Sequence, residues 1–187
     1  MNEVKFLTEY FNDCADILST NDVTQSCIEA KKLLLNTASS GGKVMFAGNG
    51  ASASIANHAS LDFTKQAKIN SVNFNESALI TAFSNDFGYE NWVQKAVEFY
   101  GNSGDTLILI SSSGKSENIV NAAKYANNND IKVITFTGFA LNNPLSMCGN
   151  INFWLESEAY NIIEGIHQIW LLSICDLIIG KKEYSVS

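Results

Sequence analysis

The spacing of apolar positions changes character once along this chain. Phe6, Leu7, Tyr10 and Phe11 recur at helical spacing, and Val23, Cys27, Ala30 and Leu34 do so after the turn-like Ser19-Thr20-Asn21-Asp22. The first 40 residues therefore read as a strand-free helical extension that stops at Gly41-Gly42. From Lys43 onward, short apolar runs alternate with helical patterns. The runs are Val44–Ala47, Ser71–Phe74, Leu107–Ile110, Val133–Phe136 and Ile151–Leu155, with helices expected at about 52–66, 77–84, 89–99, 116–128 and 160–180. Near-continuous apolar strands separated by helices predict a parallel sheet covered on both faces. No Pro- or Gly-rich linker and no repeat divides the chain, so one α/β domain spans residues 1–187.

Ligands of open parallel sheets sit beyond the carboxyl ends of the strands. Two such ends stand out. One reads Gly48-Asn49-Gly50-Ala51-Ser52 and the other Ser111-Ser112-Ser113-Gly114-Lys115-Ser116, each running from an apolar strand into a helical pattern. Backbone N–H groups at a helix start attract an anion, Gly lets backbone approach closely, and Ser adds hydroxyl donors. The plainer reading is a pair of Gly/Ser loops with helix N-caps. Two such loops at strand ends favour a bound phosphate.

Gly114-Lys115-Ser116 looks like the end of a nucleotide-binding P-loop. That motif needs a glycine five residues before Gly114, and the position is Leu109, inside the strand. Gly48, Gly50 and Ala53 give a partial dinucleotide pattern, with no acidic residue at a plausible ribose-binding strand end. A nucleotide-dependent enzyme thus rests on three residues.

Composition narrows the partners. The chain is 46% hydrophobic with a net charge of −7, which argues against nucleic-acid or anionic-membrane binding but not against one local anion pocket. Four scattered cysteines and two histidines exclude a zinc finger and argue against a disulfide framework. The start, MNEVKFLTEYFNDC, has no apolar signal core, and no apolar run approaches the roughly 18–20 residues of a membrane span, so a cytoplasmic protein is expected.

GNGASASIANHASLD (48–62), SNDFGYENW (84–92), GDTLILISSSGKSENIV (104–120), IKVITFTG (131–138) and IIEGIHQIWLL (162–172) together resemble the sugar isomerase (SIS) family, most closely the phosphoheptose isomerases. The resemblance implies a flavodoxin-like three-layer sandwich and a homo-tetramer, with the 1–40 helices taking part in assembly. It implies conversion of sedoheptulose 7-phosphate to a heptose 7-phosphate for lipopolysaccharide or capsule precursors. Asn49, Gly50, Ala51 and Ser52 would line the sugar phosphate, Asn85 and Asp86 would contact the sugar, and Ser111, Ser112, Ser113 and Ser116 would hold the phosphate. His58 matches a zinc ligand.

This sequence departs from the family where the chemistry lies. The catalytic Glu is Asp62, the Gln of the last helix is Glu164, the Asp before it is Asn161, and the catalytic, zinc-binding His is Leu172. His58 and Asp62 at i, i+4 share a helical face, as do Glu164 and His167 at i, i+3. His58, Asp62 and Glu164, with His167 as a fourth candidate, are suitable ligand types for zinc. Alternatively, Asp62 and Glu164 divide acid–base work, or the pairs are ordinary hydrogen-bonded helix residues. Two functions stay open: a sugar-phosphate isomerase, or a non-catalytic SIS protein that binds a phosphosugar or a protein partner such as a replication initiator.

Overall fold

The computed structural model describes residues 1–184. Its elements, in order, are α1 (Glu3–Thr20), α2 (Thr24–Ser39), β1 (Val44–Gly48), α3 (Ala51–Lys65), β2 (Ser71–Asn73), α4 (Ser77–Phe87), α5 (Trp92–Tyr100), β3 (Thr106–Ile110), α6 (Glu117–Asn127), β4 (Lys132–Thr137), β5 (Ile151–Trp154) and α7 (Tyr160–Ile179). A short 3-10 turn at Ser146–Cys148 was not anticipated from sequence.

All four strand pairings are parallel, in the order β2-β1-β3-β4-β5. That is the flavodoxin-like order, whose switch point lies between β1 and β3. Every residue of β1 and β3 is buried, which explains their unbroken apolar runs. The pleat divides them between two cores. Val44, Phe46, Ile108 and Ile110 face α2, α3 and α7, where Phe63, Ile163 and Trp170 pack. Met45, Ala47, Leu107 and Leu109 face α5 and α6, where Trp92, Val97 and Ile119 pack. The result is the expected three-layer sandwich.

Two elements depart from a plain core role. α1 has no buried residue, and Val4, Phe6, Leu7 and Phe11 are exposed along it. α7 passes the length and hydropathy test for a membrane span, contrary to the reading of the sequence, in which no apolar run was long enough. The reason is that its polar residues are few and spaced apart. Its apolar stripe, Ile162, Ile163, Ile166, Trp170, Leu171 and Ile174, is buried in the domain core, and α7 packs on α2, α3 and β4.

Candidate functional site

The loops after β1 and β3 meet at the switch point. They enclose a cavity of about 160 Å³ lined by Asn49, Ser52, Ile110, Ser111, Ser112, Ser113, Ser116, Tyr160 and Glu164. The serine loop is tied to the neighbouring strand end. Ser111 N–H donates to the Phe136 carbonyl (3.0 Å) and Gly138 N–H donates to the Ser112 carbonyl (2.7 Å). Within the loop the Ser111 and Ser116 hydroxyls lie 3.3 Å apart and the Ser113 oxygen accepts from the Lys115 N–H. The Ser112 hydroxyl oxygen is buried and has no hydrogen-bond partner among the described residues, an arrangement that is costly unless a ligand completes it.

Both helix starts are suited to an anion. Gly50 caps α3 and Ser116 caps α6, and neither makes a side-chain cap bond, so their first N–H groups stay available. Gly50 has φ +56° and open space where a Cβ would stand. Gly114 is required for a different reason: at φ +64°, a Cβ there would lie 1.9 Å from Asn143 Oδ1. Lys115 is exposed and does not line the cavity. No lysine lines the cavity, so an anion there would meet hydroxyls and backbone N–H groups rather than a cation.

Asn49 joins the two loops. Its side-chain amide and that of Asn118 donate to each other's oxygens, both at 2.9 Å, and the Tyr89 hydroxyl donates to Asn49 Oδ1 at 3.2 Å. Asn118 is 2% exposed. Neither Asn118 nor Tyr89 was singled out in the sequence, because no motif marks them. Tyr160, at the start of α7, was likewise missed.

Other expected residues lie elsewhere. Asn85 donates to Asp86 (2.9 Å) on an exposed end of α4, outside the cavity. Ala51 is exposed at the first turn of α3 and does not line it. Asp62 follows Ser52 by ten residues, so it stands about 15 Å farther along α3. There its Oδ2 lies 3.2 Å from His58 Nε2, and the Gln168 amide nitrogen lies 3.2 Å from His58 Nδ1.

The proposed zinc set of His58, Asp62 and Glu164 is not assembled. Glu164 lines the serine cavity, whereas the His58–Asp62 pair does not. Among the described residues no three His, Cys, Asp or Glu side chains gather to hold a metal ion. His167 is fully buried, with Nε2 at 3.1 Å from the Thr137 carbonyl, and burial pushes its pKa down to about 4. Cys175 is also buried; its pKa is pushed up to about 12 by burial first, then by the charges of Asp62 and Asp176, so it offers no thiolate. The described residues do not fit a zinc centre: Gln168 engages His58, and the hydrocarbon side chain of Leu172 offers no ligand atom.

The SIS domain model matches residues 9–138. The phosphoheptose isomerase of Yersinia enterocolitica is 36% identical over 92% of this chain and 90% of its own length. That of Sodalis glossinidius is 32% identical over 88% and 86%. The solved phosphoheptose isomerase of Francisella tularensis superposes with a TM-score of 0.88 at 29% identity, covering 97% of this chain and 100% of that one. That of Neisseria gonorrhoeae gives 0.85 at 26% identity, covering 93% and 98%. With its switch-point cavity between two Gly/Ser loops, the chain belongs to the SIS domain family, within the group of the phosphoheptose isomerases.

Proposed function

We propose that this chain is an aldose–ketose isomerase acting on sedoheptulose 7-phosphate to give a heptose 7-phosphate. The observation that carries the reading is a single cavity that joins an uncharged phosphate cradle, centred on the unpartnered Ser112 hydroxyl, to the carboxylate of Glu164. Ser111, Ser112, Ser113 and Ser116 hold the phosphate, with Asn49, Gly50 and Ser52 beside it. Asn85 and Asp86 border the sugar only if it extends toward Tyr89.

The reaction removes the proton at C1 of the ketose and returns a proton at C2. Glu164, which lines the cavity, takes this proton in our reading, and Tyr160, also in the lining, offers a hydroxyl donor for the carbonyl oxygen. Asp62 acts on α3 through His58 rather than on the sugar of its own chain. The exposed apolar residues of α1 support assembly of copies, for which we propose a homo-tetramer, and the protein works in the cytoplasm without nucleic acid or membrane. Light scattering of the purified protein tests the tetramer.

The decisive assay mixes purified protein with sedoheptulose 7-phosphate and follows aldose formation by NMR, with thermal shift in parallel. Turnover supports the isomerase. Stabilisation without turnover supports the non-catalytic phosphosugar binder that Leu172 favours. Neither response would sink both.

A further inference from the structure

His58 is engaged at both ring nitrogens. Its Nε2 lies 3.2 Å from Asp62 Oδ2, one turn along α3, and its Nδ1 lies 3.2 Å from the amide nitrogen of Gln168 on α7. An amide nitrogen only donates, so Nδ1 must present its lone pair to Gln168. The ring hydrogen then belongs on Nε2, the nitrogen that lies near Asp62. In this tautomer Nδ1 has spent the lone pair that a metal would take, and Nε2 carries hydrogen. On α7, Leu172 follows Gln168 by one turn on the same face and adds hydrocarbon where another donor would be needed.

We infer that His58, Asp62 and Gln168 form a metal-free polar set, tied by the Gln168–His58 hydrogen bond, that replaces a zinc centre in this chain. The set joins α3 to α7 across 110 residues of sequence. Gln168 also follows Glu164 by one turn, so this link fixes the rotation of the helix that delivers Glu164 to the serine cavity. Gln168 is therefore a positioning residue: it touches no substrate and acts through the setting of α7. Sequence reading passed over it because a lone glutamine in an apolar helix has no motif, and its partner is distant in the chain.

The test uses full-length protein expressed in zinc-supplemented medium and passed over gel filtration. Metal content is measured by mass spectrometry, and the His58 ring nitrogens are read by long-range nitrogen-15 NMR with and without added zinc chloride. The expected result is far less than one zinc per chain and a His58 spectrum unmoved by zinc. One zinc per chain that disappears in His58→Ala, or a His58 spectrum that zinc displaces, would overturn the inference. The paired variant Gln168→Ala with Leu172→His is expected to gain zinc that depends on His58; no gain would show that the blocked lone pair is not what keeps the metal out. None of these readouts needs turnover, so a chain inactive on sedoheptulose 7-phosphate leaves the inference to stand or fall separately.

Discussion

Ser112→Ala separates ligand binding from folding by the sign of its effects. The Ser112 hydroxyl is buried, 6% exposed as a residue, and unpartnered. Removing it deletes no hydrogen bond from the ligand-free fold and relieves a buried polar group that costs roughly 1–3 kcal/mol when unsatisfied. Because a chain of this size shifts its melting temperature by about 2–4 °C per kcal/mol, the ligand-free variant should melt at or a few degrees above the parent. In the phosphate complex the same hydroxyl donates to a charged oxygen, a bond worth about 1.5–3 kcal/mol. Its loss should weaken sedoheptulose 7-phosphate binding by roughly 10- to 150-fold. Calorimetric titration with the sugar phosphate and thermal melts of both proteins provide the two readings. A drop in the ligand-free melting temperature with unchanged affinity would refute the reasoning, since it would make Ser112 a structural residue. Ser113→Ala is less clean, because the Ser113 oxygen already accepts from the Lys115 N–H at 3.3 Å.

Three further outcomes are expected. Glu164→Gln removes a negative charge from the phosphate cavity and the proton acceptor with it; affinity should rise by a few-fold while kcat falls about 10²–10⁴-fold, and steady-state kinetics showing an intact kcat would reassign the base. Asn118→Asp keeps the acceptor for Asn49 but turns the donor into an oxygen facing Asn49 Oδ1; it should cost about 1–3 kcal/mol in chemical denaturation and raise KM more than it lowers kcat. For His167 the unfolded ring takes a proton below about 6.5, but the folded ring resists until about 4, so stability is lost as pH falls through that window. The loss is about 2 kcal/mol at pH 5, and His167→Gln, which keeps an amide donor, should flatten it in urea melts at pH 7 and 5.

The inner strands were legible because burial on both faces leaves a dense apolar run, and the edge strand Ser71–Asn73, half-buried throughout, was found as well. The two loops were legible because Gly and Ser at strand ends carry a local meaning that needs no tertiary contact. Glu164 was found through its place in a familiar helix, and the fold does bring it to the serine loop. Asn118, Tyr89, Tyr160 and Gln168 were not legible: each acts across the fold, and an amide or phenol has neither a period nor a motif.

The same contrast shows in how His58, Asp62 and Glu164 are arranged. Helical spacing correctly put His58 beside Asp62, since that relation is local. It could not rank Glu164 against Gln168 as the third group, because both lie on α7 one turn apart and only the packing of α3 against α7 decides which reaches His58. The fold gives Gln168 to His58 and Glu164 to the phosphate cavity. A helix that in one arrangement would close a metal site here divides its polar groups between a neutral strut and an open pocket. The Gln168–His58 hydrogen bond links α3 to α7 with no metal between them, and it leaves Glu164 as the carboxylate that lines the serine cavity.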